Sequence, residues 1–186
     1  MQTFGIVAMT NAAYYLVFTF AVEQRKAQLG KEAADFQLVN TLSLFAVLFA
    51  KVLGGWLSDR VGRRKLMMAL TLAMMGAIYF ALPIMLSGSS GDFMIGQVMM
   101  AVPLGMALGL QGAMVVEIFP LRTRVTSMSF AYSVTLALAG GMAPLVAAKL
   151  IKFDHMLPAY YIMIYGALGL ALMWPMKETN QRSLDD

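Results

Sequence analysis

The sequence predicts an all-α membrane protein of six transmembrane helices, on three observations. Of 186 residues, 60% are hydrophobic and only 13% are charged, against about 25% charged in a soluble domain. Mean hydropathy is +0.71, so lipid rather than water must solvate much of the surface. The apolar residues fall into six runs, each near the roughly 20 residues that cross about 30 Å of hydrocarbon.

The runs are Phe4–Val22, Gln37–Leu57, Leu66–Leu86, Phe93–Val116, Ser127–Leu150 and Ala159–Met176, together one six-helix bundle over residues 1–186. None shows the sustained alternation of a membrane strand. The first has no basic leader before Phe4, so it is expected to stay as a membrane helix and not to be cleaved as a signal peptide. The segment Glu23–Phe36 after it is mixed in charge and has room for a short surface helix. The third run contains Pro83 and ends at Ser87–Asp92, which reads as a plain flexible turn. In the fourth, Gly105 and Gly109 stand four apart, and in the fifth Ala137 and Gly141 repeat the spacing. Small residues at that interval let helix backbones approach closely in lipid. Pro83, Pro103 and Pro144 are each expected to kink their helices. The eighteen Met residues suit pliable packing and lipid-facing surface.

Composition also removes function classes. With no Cys there is no disulfide scaffold or thiolate metal site, and the lone His155 leaves no multi-histidine centre. An intramembrane enzyme would need a buried nucleophile and base, which these residues do not supply. No catalytic residue, metal or cofactor is therefore expected. The net charge of +4 sits in short breaks between apolar runs, a topology signal and not a nucleic-acid patch. Arg60, Arg63, Arg64, Lys65, Arg122, Arg124, Lys177 and Arg182 lie on the side of both termini. Arg25, Lys26, Lys31, Lys149 and Lys152 lie on the other, and Lys51 is inside the second helix. The excess of cations places both termini in the cytoplasm of a multi-pass protein.

Between the second and third helices stands Gly55-Trp56-Leu57-Ser58-Asp59-Arg60-Val61-Gly62-Arg63-Arg64-Lys65. Gly55 lets another helix approach, Gly62 permits a tight reversal, and Asp59 offers an acceptor to orphan amides at a neighbouring helix N-terminus. Four cations alone would enforce topology but would not call for the two glycines and the acid. The segment resembles the signature loop of the major facilitator superfamily, G-x-x-x-D-[RK]-x-G-R-[RK], at Gly55, Asp59, Arg60, Gly62, Arg63 and Arg64. Glu117 and Arg124, seven apart after the fourth helix, resemble the E-x6-R element that accompanies that loop. The resemblance implies that Glu117 pairs with Arg63 or Arg64 and that these residues gate the conformational cycle. The tail Lys177-Glu178-Thr179-Asn180-Gln181-Arg182-Ser183-Leu184 is similar to the family's P-E-T-x-x-x-x-L ending, with Lys177 in place of the proline. The order of the three elements resembles the C-terminal half of a twelve-helix carrier, nearest to the metabolite:proton symporters and among them the proline/betaine symporters.

That resemblance implies a half of a secondary active transporter in the plasma (inner) membrane. It would move a small zwitterion such as proline or betaine, or a small carboxylate, with protons, by alternating access against a missing N-terminal half or a second copy. Substrate would bind near the midplane, between helices one, two, four and five. The polar candidates are Asn11, Tyr15, Lys51, Gln111 and Tyr132, ahead of Tyr14, Asn40, Thr41, Gln97 and Thr135. Each also fits a helix–helix hydrogen bond or an interfacial tyrosine. Lys51 either snorkels to the interface or faces the aqueous path and attracts a carboxylate. No acid lies deep in any helix, so the proton carrier is expected in the other half, with Glu117 as its competitor. A non-transporting membrane interaction protein, or an inactive truncated carrier, is the alternative.

Overall fold

The computed structural model describes residues 2–29, 34–176 and 178, and all of its regular structure is helical. Lys31, Lys177, Thr179, Arg182 and Leu184 lie outside the described residues. The first helix, α1, comprises Gln2–Tyr15, a π-helical turn Leu16–Phe20 and Ala21–Leu29. It runs two turns beyond the apolar run that predicts it, absorbing the first half of the expected surface helix. Next come α2 (Ala34–Val61), α3 (Arg63–Ser87) and α4 (Ser90–Ile118). The fifth, α5, comprises Arg124–Thr135, a second π-helical turn Leu136–Gly141 and Ala143–Leu150, and α6 is Leu157–Met173. Five of these helices are long and apolar enough to cross a membrane, and α6 is a shorter apolar helix.

Gly5 near the start of α1 packs on Gly169 and Leu172 near the end of α6. The α2–α3 and α4–α5 connections join at this same end, called here the signature end. The bundle is built around α1, with 83% of its apolar window buried against 22% for α2 and 28% for α5. An enclosed helix needs no polar face, and α1 buries residues on every side, from Ile6 and Val7 through Ala12 and Ala13.

In lipid, close backbone contact replaces the hydrophobic effect as the force between helices. The α2–α4 crossing shows this most strongly. A Cβ on Gly109 would stand 2.0 Å from the Lys51 carbonyl oxygen, and one on Gly105 2.6 Å from that of Val47. From α2, Gly54 meets the Met106 backbone at 2.2 Å, whereas a Cβ on Gly55 would find its nearest atom at 3.9 Å. Close approach thus belongs to Gly54, one position before the signature glycine. The Ala137–Gly141 pair does not pack: both residues are exposed, and Ala139, Gly140, Ala143 and Ala147 face the core. The π-helical turn inserts a residue there and moves the buried face off the register that a regular helix predicts.

The Ser87–Asp92 segment is a structured helix start. Ser89 accepts from the Asp92 amide at 3.3 Å while the Asp92 carboxylate accepts from the Ser89 amide at 2.9 Å, a reciprocal capping box. Pro83 and Pro103 lie inside continuous helices, and Pro144 occupies the first turn after the π-helical segment of α5, where its missing N–H is no loss.

Candidate functional site

At the signature end, α2 and α3 are joined through Gly62 alone, at φ 103°, the one positive-φ position among the described residues. Only glycine takes that conformation without strain. The reversal points Arg63 inward and Arg64 sideways. Arg63 donates to Asp59 Oδ1 at 3.2 Å and pairs through Nη1 with Glu117 at the end of α4. Both partners of the α3–α4 pair are mostly enclosed, with side chains 16% and 11% exposed. Arg63 Nε and Glu117 Oε2 remain buried without a hydrogen-bond partner among the described residues. Removing one member of such a pair costs more than forming the pair gains.

Asp59 does not serve a neighbouring helix start. Its carboxylate is exposed and accepts from Arg63 one turn on. The carboxylate at a helix start is that of Glu178, which accepts from the Arg64 amide at 2.9 Å and favours the positive end of the α3 dipole. A Cβ at Gly62 would lie 2.9 Å from Glu178 Oε2, so the signature glycine also makes room for the tail acid. Arg64 in turn donates through Nε to the Met173 carbonyl at 3.1 Å and through Nη2 to that of Trp174, satisfying the last carbonyls of α6. Arg60 lies over the Trp56 ring at 3.9 Å. Arg124 folds back to the Phe119 carbonyl at 3.1 Å, closing its own loop and leaving Glu117 to Arg63.

A second polar group lies deeper. The Thr10 hydroxyl of α1 sits 2.9 Å from the Val7 carbonyl and also reaches Gln111 Oε1 of α4. Gln111 Nε2 makes a long contact of 3.5 Å to the Tyr132 hydroxyl of α5. Asn11 is buried beside them and donates to the Val7 carbonyl at 2.9 Å. The structure thus joins α1, α4 and α5 through Thr10, Gln111 and Tyr132, with Asn11 adjacent. Thr10 escapes sequence reasoning because a single threonine in an apolar run carries no signal. Tyr15 is not part of this group; its ring packs on Gly140 of α5, where a Cβ would come within 3.0 Å.

Lys51 is exposed on α2. Because α2 continues one turn past the predicted boundary to Val61, the lysine lies about 15 Å from the helix end by the rise per residue. That is further than the sequence indicates. By the same measure Thr10, Lys51, Gln111 and Tyr132 all fall roughly 5–10 Å from the middle of their helices, toward the signature end. Asn40, three turns before Lys51 on α2, accepts from Gln97 at 2.7 Å, and Gln97 also donates to the Val17 carbonyl of α1 at 3.3 Å.

Comparison with known proteins decides the family. The model of the Major Facilitator Superfamily matches residues 3–184. The chain belongs to this superfamily. It is 29% identical over 186 residues to a proline/betaine transporter of Salmonella typhimurium, covering 99% of this chain and 37% of the relative. It is 33% identical over 168 residues to a citrate-proton symporter of Klebsiella pneumoniae, covering 89% and 38%. The chain thus spans well under half the length of these relatives. Among solved structures, the inward-open xylose transporter XylE of E. coli matches with a TM-score of 0.66 at 18% identity, over 96% of this chain and 47% of that one. That likeness establishes the fold. The chain is an all-helical, multi-pass membrane protein of a transporter superfamily, and not an enzyme.

Proposed function

We propose that this facilitator chain forms one half of a proton-coupled secondary transporter for a small carboxylate-bearing metabolite, a zwitterion such as proline or betaine first and a dicarboxylate or tricarboxylate second. The observation that carries the reading is the Thr10–Gln111–Tyr132 group, a polar contact among three helices of an otherwise apolar bundle. Intramembrane polar groups are costly, and where they persist they mark substrate or ion pathways. The group has a donor to spare: among the described residues Gln111 Nε2 has only its 3.5 Å contact to Tyr132, and an amide nitrogen carries two hydrogens. A spare donor suits a carboxylate, and Lys51 at similar depth adds a positive charge.

The exposed faces of α2 and α5 carry Gln37, Thr41 and Lys51, and Thr126, Ser129 and Ser133. Hydrocarbon is a poor partner for them, which supports a missing six-helix half, or a second copy, as the surface they meet. Alternating access is then rocking of two halves, with the Arg63–Glu117 pair and the signature loop holding one state at the cytoplasmic, terminus-bearing side. Proton transfer falls to the other half, or to Glu117. The cation count favours cytoplasmic termini, and the bacterial transporter relatives favour the inner membrane.

The test couples native mass spectrometry of the chain in nanodiscs with binding of labelled proline, glycine betaine and citrate. Saturable binding of one of these, weakened at least tenfold by Gln111→Leu, is expected of an assembled dimer or of the chain with its complementary half. A well-defined two-half assembly that binds none of the three refutes the cavity assignment.

A further inference from the structure

Arg25 is a buried charge that the transport reading does not use. It lies in the last third of α1, at the end opposite the signature loop, and is 8% exposed. Its Nη1 donates to the Leu86 carbonyl at 2.8 Å and to Gln28 Oε1 at 3.2 Å, and its Nη2 donates to the Gly88 carbonyl. Those carbonyls close α3, where the intrahelical donors have run out and the dipole is negative. The guanidinium also lies over the Phe36 ring at 5.0 Å, and Phe36 meets Phe93 edge-on at 5.2 Å. One side chain of α1 therefore ties down the α3–α4 turn and the start of α2. The nearby Glu23 and Lys26 pair with each other at 2.8 Å on the surface and leave the arginine to the carbonyls.

Just before this segment α1 changes register. In the turn Leu16–Phe20 the Ala21 amide donates to Leu16, five residues back instead of four. The turn thus holds one residue more than a regular helix. Returning it to α-helical bonding would rotate everything beyond by about 100° and shift it about 1.5 Å. A rotation of that size takes Arg25 off the two carbonyls. Two contacts hold the present register. Gln97, fully buried, donates to the Val17 carbonyl inside the turn, while its own Oε1 has no partner among the described residues. Tyr15, at the entry to the turn, packs on Gly140 inside the π-helical turn of α5. Both helices are irregular at the place where they touch.

We propose that Arg25 is a latch fixing residues 21–29 to the α3–α4 turn, and that Leu16–Phe20 is the hinge about which this segment is released while the rest of α1 stays in place. Arg25 is thus a positioning residue for the end of α1, and the inference stands whether or not the chain transports anything.

Hydrogen–deuterium exchange of the chain in nanodiscs tests it. Charged hydrogen bonds of this kind support roughly tenfold protection or more. Arg25→Gln is therefore expected to speed exchange of Val22–Gln28 about tenfold and to leave Gln2–Tyr15 unchanged. Deleting Thr19, the exposed residue of the turn, removes the extra residue while keeping both flanks in register. In that background the same substitution is expected to change exchange of Val22–Gln28 less than about twofold, because no hinge remains. Unchanged exchange in Val22–Gln28, equal acceleration through Gln2–Tyr15, or a full effect in the deletion background each overturns the proposal. Should Arg25→Gln fail to fold, Arg25→Lys and the Thr19 deletion alone carry the test. Lysine is expected to give a smaller acceleration confined to the same residues, and the deletion slower exchange there than in the parent. The opposite direction in either refutes the latch.

Discussion

Gly109→Ala tests most directly whether backbone contact holds α2 in the bundle. The new Cβ would lie 2.0 Å from the Lys51 carbonyl oxygen, 2.9 Å from its carbon and 3.1 Å from the Gly55 nitrogen. All three are backbone atoms of α2, so no rotamer change relieves the clash. Ordinary contact between carbon and oxygen requires about 3.3 Å, so the helices must separate by roughly 1.3 Å. A gap of about 1 Å forfeits a quarter to a half of each dispersion contact. The loss spreads along the line Val47, Ala50, Gly54 and Ser58, which is most of what α2 buries. The expected destabilisation is about 3 kcal/mol, at the upper end of overpacking costs. Gly112→Ala on the same helix is the control, since a Cβ there meets nothing within 4 Å; it should be neutral or stabilise by up to about 1 kcal/mol through helix propensity. Titrating the chain from mild detergent into SDS, with far-ultraviolet circular dichroism as the readout, measures both. Equal midpoints for the two variants would show that the glycine contact does not hold α2, and the reasoning would fail.

Glu117→Gln leaves Arg63 enclosed without its carboxylate and should cost about 1–3 kcal/mol in the same titration, discounted from a fully buried pair because both side chains keep some exposure. Adding Arg63→Gln should recover part of that loss, and a strictly additive double variant would rule out the pairing. Ser89→Ala removes half of the capping box and should destabilise by about 1 kcal/mol, with exchange speeding locally at Ser90–Phe93. Lys51→Met should weaken binding of citrate at least tenfold and of betaine less, in the nanodisc assay; equal affinities for both before and after would assign Lys51 to snorkelling.

Apolar runs and the signature segment were readable because both are local properties. A helix in lipid must be continuous and apolar, and the α2–α3 reversal needs glycine at Gly62 whatever surrounds it. Gly105 and Gly109 were readable for the same reason, since their spacing alone puts them on one face. What escaped depends on register or on distant partners. The π-helical turn of α5 has no sequence mark of its own, yet it turns Ala137 and Gly141 outward and brings Ala139 and Gly140 to the core. Ser89 and Asp92 did carry a signal, the three-residue spacing of a capping box, hidden by the glycines around it. Asp59 and Glu178 could not be told apart, because which acid reaches the α3 amides depends on where the chain returns after α6.

The arginines make the same point in chemical terms. Arg25 and Arg64 count in the sequence as topology charges, on opposite sides of the membrane. In the structure each donates to two carbonyls at a helix C-terminus, Arg25 at the end of α3 and Arg64 at the end of α6. A membrane helix cannot leave its last carbonyls unsatisfied in hydrocarbon, so an uncapped end must stay at the water interface. A guanidinium, with five donors in a planar fork, satisfies two carbonyls at once and stays charged; a lysine at the same position would reach one less rigidly. Lys26 and Lys152, which the same count sets beside Arg25, are left to the surface, exposed or paired with a neighbouring acid. Charge counting weighs Lys and Arg alike, but helix-end capping does not, and in this fold the capping role explains why arginine stands at positions 25 and 64.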